Sequence, residues 1–114
     1  MKIFKMSSDV FAGVITGISG AYSGAIFRLD PDENITFGRD PRTSQIVLDE
    51  DCTLVSRTHC TIKGDVTTGN YSVTDHSSNG TFVNGERMPK ETVVTVPRGT
   101  IISLGDKNNS FKLN

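Results

Sequence analysis

Helical periodicity is missing from this chain. No window places apolar residues at the i, i+3, i+4, i+7 spacing of an amphipathic helix, which excludes helical bundles and α/β folds. Tryptophan is absent, and cysteine is limited to Cys52 and Cys60. Eight residues apart and without a second pair, these two make neither a disulfide framework nor a zinc spacing. They read as reduced packing residues of a cytoplasmic protein. Long apolar runs are lacking too. Ser7, Ser8 and Asp9 interrupt the N-terminal stretch before it reaches signal-peptide length, and nothing approaches a membrane span. Charge of either sign is not in excess, since 12 Lys and Arg face 13 Asp and Glu for a net −1. A global attraction to nucleic acid or anionic lipid is thereby excluded, and any anion site must be local.

Catalytic signatures are equally scarce. Gly-x-Ser-x-Gly does not occur, and neither does the Gly-x-x-x-x-Gly-Lys phosphate loop. His59 and Cys60 are neighbours, but adjacent strand residues point to opposite faces, so they do not form a thiolate–imidazole pair. Gly17-Ile18-Ser19-Gly20 has the form of an RNA-clamping loop without the flanking helices or the basic surface that such a loop needs. No catalytic residue, cofactor, metal, nucleic acid or membrane is expected.

Short alternating segments are present instead, broken by Gly, Pro, Asn and Asp. They predict strands at 13–18, 25–29, 34–37, 45–48, 58–63, 71–75, 81–83, 86–88, 92–96, 100–104 and 110–113. About eleven strands with a turn signal every 8–12 residues are too many for one flat sheet. The expected fold is all-β, a two-sheet antiparallel β-sandwich. Alternation assigns Cys60 with Ile62, Tyr71 with Val73, Ile102 with Leu104, and Phe111 with Leu113 to the core. Asn84-Gly85 and Pro97-Arg98-Gly99 read as tight turns. Residues 1–12 lack clear alternation and are expected to be a tail or an extra strand, with one domain over 13–114.

The loops carry the chemistry. Arg39 follows a strand in Gly38-Arg39-Asp40 and offers a planar fork of donors that suits a phosphate. Ser56 and Arg57, placed at the opening of the next long strand, add a hydroxyl donor and a second cation. His59 is expected to orient loops through both ring nitrogens. Ser78-Asn79-Gly80 forms a turn whose carboxamide can hold a peptide backbone.

In this order, Gly38-Arg39, Ser56-Arg57-Thr58-His59 and Asn79-Gly80-Thr81-Phe82-Val83-Asn84-Gly85 resemble the pattern of the forkhead-associated (FHA) domain. The resemblance runs from about residue 13 to the end and departs at Gly99-Thr100, where the family often has Gly-Asp. It implies a sandwich that binds phosphothreonine peptides through loops at one end. It implies Arg39, Ser56 and Arg57 as phosphate ligands and Ser78 and Asn79 as peptide-backbone contacts. Gly38, His59, Gly80 and Asp75 match scaffold positions of those loops. The implied partner is a phosphothreonine-containing protein or peptide, either a Ser/Thr kinase substrate or the kinase itself, bound by a monomeric signalling adaptor. The rival is a phosphate-independent docking domain of a secretion or other multiprotein assembly. Such members often lose the arginine or serine that this chain keeps. Asp49, Glu50 and Asp51, on the loop leading to Ser56, are expected to favour basic residues upstream of the phosphothreonine, whereas Asp106 beside Lys107 gives no charge preference.

Overall fold

Strand by strand, the alternation of the sequence becomes two packed sheets. The computed structural model describes residues 12–114, and among these there are eleven strands and no helix. In chain order they are β1 (Gly13–Ser19), β2 (Ile26–Leu29), β3 (Asn34–Gly38), β4 (Ile46–Val47), β5 (Cys60–Gly64) and β6 (Tyr71–Asp75). They continue with β7 (Thr81–Val83), β8 (Glu86–Arg87), β9 (Val93–Val96), β10 (Thr100–Leu104) and β11 (Ser110–Leu113). One sheet has the order β2-β1-β11-β10-β7-β8, and the other β4-β3-β5-β6-β9.

Period-two burial makes the interior. Cys60, Ile62, Tyr71, Val73, Ile102, Leu104, Phe111 and Leu113 are all fully buried, each pair lying two apart on its strand. Phe37 of β3 meets Phe111 of β11 edge-on with centroids 4.8 Å apart, so an aromatic contact spans the two sheets. Such a pair adds roughly 0.5–1.5 kcal/mol to the burial of its surface. The Tyr71 hydroxyl accepts from Val14 N–H at 3.0 Å and donates to the Asn114 carbonyl, tying β6 to the opposite sheet.

Two expected strands differ most from the structure. Residues 45–48 reduce to β4, which pairs with β3 in parallel, an exception in a sandwich otherwise paired antiparallel between strands. Residues 56–59 precede β5 rather than open it. Their backbone groups bond to the loop after β3 instead: Arg39 N–H donates to Ser56 O, and Asp40 N–H to Arg57 O, both at 3.1 Å. The regular ladder starts at Phe37 opposite Cys60. Of the segment 1–12, residues 1–11 lie outside the described residues. Ala12 is fully buried and donates its N–H to Leu29 O at 2.6 Å.

Strand direction decides where the loops collect. β3, β6 and β10 end, and β5, β7 and β11 begin, at the same pole. The connections 39–45, 48–59, 76–80 and 105–109 therefore share one end of the sandwich. Arg39, Ser56, Arg57, Ser78 and Asn79 all fall on these connections.

Candidate functional site

Arg39 is held by its stem. Its Nε–H donates to Val55 O at 2.5 Å, and its backbone N–H bonds to Ser56 O. The two terminal guanidinium nitrogens make no hydrogen bond among the described residues. A donor fork fixed on one side and open on the other is suited to an oxyanion. Arg57 is exposed, and its carbonyl accepts from Asp40 N–H and from Ser44 Oγ–H at 3.2 Å. Its guanidinium has no hydrogen bond or ion pair among the described residues.

Arg39, Asp40, Pro41, Arg42, Glu50 and Arg57 line an open cleft of about 350 Å³. Three guanidiniums thus face two carboxylates. One carboxylate is already engaged: Arg42 bonds to both oxygens of Asp40 at 3.2 Å. Those hydrogen bonds, with Arg57's charge as the smallest contributor, hold the Asp40 carboxyl below the usual carboxylate range. Arg39 and Arg57 form no ion pair among the described residues.

Ser56 joins this cleft to the 76–80 turn. Its Oγ accepts from Ser78 N–H at 3.1 Å, so its own proton stays available for donation. Ser78 is exposed, and its carbonyl accepts from Arg87 at 3.3 Å. Asn79 donates from Nδ2 to Leu54 O at 3.3 Å, which leaves its carboxamide oxygen open. The structure therefore brings Arg39, Ser56, Ser78 and Asn79 onto one continuous hydrogen-bonded rim around residues 54–56. Arg57 lines the cleft together with Arg39.

Beneath the rim, His59 is fully buried. Ser56 N–H donates to its Nδ1 at 3.0 Å, which places the ring proton on Nε2, and Nε2–H donates to Gly80 O at 2.9 Å. The ring thus holds the Ser56 loop to the Gly80 turn. Burial is the largest influence on its titration and pushes the imidazole pKa down, opposed by the Gly80 hydrogen bond and the Asp75 charge. With both nitrogens engaged, His59 has none for Cys60, whose thiol is buried in the core and pushed up by that burial. The two do not make a nucleophilic pair.

Asp75 is the second buried support. Its Oδ1 accepts from Ser77 N–H at 3.0 Å, Ser77 Oγ–H at 2.6 Å and Thr81 Oγ1–H at 2.9 Å. Ser77 Oγ in turn accepts from Gly80 N–H at 2.7 Å, so one carboxylate oxygen organises the whole turn. Two glycines complete the scaffold. A Cβ on Gly38 would lie 1.9 Å from Arg57 O and 2.6 Å from Ser44 Oγ, so the Arg57 loop approaches only because residue 38 has no side chain. Gly80 has φ of +98°, the left-handed region, and a Cβ there would stand 2.7 Å from Arg87 Nε.

Other contributors escape a reading of the sequence. The carbonyls of Leu54 and Val55 anchor Asn79 and Arg39, and a backbone acceptor leaves no residue-type signal. Gly80 O accepts a second bond from Gly105 N–H at 2.9 Å, which draws the 105–109 loop to the same rim. The acids ahead of Ser56 separate. Asp49 and Glu50 share a shallow surface with Arg39, while Asp51 lines a different groove.

The FHA domain family model matches residues 35–105, which includes the 39–45, 48–59 and 76–80 loops. The chain belongs to the FHA domain family. Over 81 residues it is 35% identical to the E3 ubiquitin-protein ligase rnf8 of Danio rerio, covering 68% of this chain and 16% of that protein. It spans less than a fifth of the length of the curated relatives it matches. Among solved structures it is similar to the FHA domain of CT664 from Chlamydia trachomatis. The TM-score is 0.74 at 27% identity, covering 89% of this chain and 94% of that one. The N-terminal FHA domain of Rad53p from S. cerevisiae, solved with a phosphothreonine peptide, shares the fold. There the TM-score is 0.69 at 24% identity, with coverage of 91% and 90%.

Proposed function

We propose that this FHA domain is a phosphothreonine-dependent peptide-binding module and performs no chemistry of its own. Arg39, Ser56 and Arg57 take the phosphate, and Ser78 with Asn79 takes the peptide backbone. Its role is that of a cytoplasmic adaptor for a Ser/Thr kinase substrate or for the kinase. The observation that carries this reading is the Arg39–Ser56 junction. A guanidinium anchored through Nε to Val55 O, with both terminal nitrogens uncommitted, is held by the residue just before a serine whose hydroxyl proton is equally uncommitted.

The energetics suit the role. A phosphothreonine brings about −1.5 to −2 charges near neutral pH. Charge-assisted hydrogen bonds are worth roughly 1.5–3 kcal/mol each. Two or three of them, less the entropy of ordering a peptide, give about −8 kcal/mol, a micromolar site suited to a reversible mark.

The test is paired titration of a phosphothreonine peptide and its unphosphorylated twin against the parent and Arg39→Ala. Only the phosphorylated peptide should bind the parent, and Arg39→Ala should lose roughly 2–5 kcal/mol of that affinity. Equal binding of the two peptides would instead support the phosphate-independent docking domain.

A further inference from the structure

Arg87 is exposed, yet its backbone is fixed. It stands on the return arm of the β7–β8 hairpin, whose turn residues Asn84 and Gly85 have φ of +48° and +88°. Positive φ at both positions is the tight connection that matches the twist of a hairpin, and it sets Arg87 opposite Phe82. The hairpin is pinned to β10. Asn84 N–H donates to Ile101 O at 2.8 Å, and Ile101 N–H returns a bond to Asn84 Oδ1 at 2.9 Å. Met88, buried just beyond Arg87, donates its N–H to Thr81 O at 3.0 Å.

From this base the side chain reaches the 76–80 turn. Its Nη2–H donates to Ser78 O at 3.3 Å. The space above Gly80 places it independently: a Cβ built there would fall 2.7 Å from Arg87 Nε and 3.1 Å from its Cζ. The guanidinium therefore lies over Gly80, which has no side chain to displace it. No carboxylate pairs with Arg87 among the described residues, so its hydrogen bond is spent on a backbone carbonyl of the proposed binding rim.

That bond closes a chain. Ser78 gives its N–H to Ser56 Oγ at 3.1 Å while its carbonyl accepts from Arg87. Ser56 keeps its own proton for a ligand because Ser78 supplies the donor to its oxygen. A turn released from Arg87 would withdraw that donor and carry Asn79, the next residue, with it.

We infer that Arg87 is a positioning residue of the phosphopeptide site, which sets the Ser56 hydroxyl and the Asn79 carboxamide through Ser78 without touching the phosphate. This rests on the phosphothreonine reading above. Lysine cannot substitute fully, since an ammonium has no planar fork to lie over Gly80 while it donates to Ser78 O.

Two measurements on the parent, Arg87→Met and Arg87→Lys decide the matter. Methionine keeps part of the aliphatic stem and removes the donor. Without ligand, the Ser78 amide should exchange hydrogen faster in Arg87→Met. The core amides of Ile62 and Val73 should exchange as in the parent, which shows that the variant is folded. With a phosphothreonine peptide, Arg87→Met should bind roughly three- to tenfold more weakly, the scale of one hydrogen bond. The defect should persist at high salt, and Arg87→Lys should share part of it. A purely electrostatic role gives a different pattern: lysine matches the parent, and the methionine defect disappears as salt is raised. That pattern, or an unchanged Ser78 exchange rate in Arg87→Met, overturns the inference while leaving phosphothreonine binding standing. If no phosphothreonine peptide binds the parent, the underlying reading fails and this one falls with it.

Discussion

Acid should loosen this domain through His59, and the effect can be worked from its hydrogen bonds. The neutral ring accepts from Ser56 N–H at Nδ1 and donates to Gly80 O from Nε2. Protonation puts a second N–H on Nδ1, facing the Ser56 donor, and places a charge in a site without solvent. Burial accordingly depresses the folded-state pKa below the ordinary 6.5. Below about pH 6.5 the unfolded chain binds a proton that the folded chain refuses, so folding stability must fall as pH falls. The contribution is fully present above the unfolded value and disappears as pH drops toward the folded one. The slope for a single such site approaches, at most, about 1.4 kcal/mol per pH unit. The measurement is urea unfolding of the parent and His59→Gln between pH 7.5 and about pH 5, with the difference between them isolating the imidazole. His76, which bonds to Glu91 at 2.9 Å, is common to both proteins. The parent should lose stability more steeply on acidification than the variant. Parallel pH profiles would refute the claim that a neutral, buried His59 ties the Ser56 loop to the Gly80 turn.

Three further outcomes follow from the same geometry. Arg39→Lys should recover only part of the phosphopeptide affinity lost in Arg39→Ala, because an ammonium cannot anchor at Val55 O while offering a fork; calorimetric titration of the three proteins checks this. Gly38→Ala should destabilise by about 1–3 kcal/mol or more, since its Cβ would meet Arg57 O at 1.9 Å. Chemical denaturation reads that loss, and a neutral result would show that the loop yields freely. Asp75→Ala should cost about 3 kcal/mol or more by removing the acceptor of three hydrogen bonds from a buried turn. Its thermal midpoint should fall further than that of Ser78→Ala, which alters only an exposed side chain.

Much of the sandwich could be read in advance because alternation and burial are the same physical fact on a strand. Tyr71–Asp75, Thr81–Val83, Thr100–Leu104 and Ser110–Leu113 match the expected ranges at both ends. The segments that depart are those where backbone hydrogen bonds go somewhere periodicity does not foresee. Ser56 and Arg57 give their carbonyls to Arg39 and Asp40, and β4 keeps two residues in a parallel pairing at the edge of β3.

By itself the order of residues along the chain determined the all-β class, the core faces and the loop positions bearing Arg39, Ser56 and Asn79. Side-chain type and spacing are local properties, and each of those conclusions depends on nothing else. Only the tertiary structure decided which carbonyls hold the arginine stem, which way the His59 proton points, and that Asp51 lines one groove with Asp106 and Asn109. Those are relations between segments from 16 to more than fifty residues apart. They exist because strands ending at one pole bring distant loops within hydrogen-bond reach, and a linear sequence carries no record of that closure.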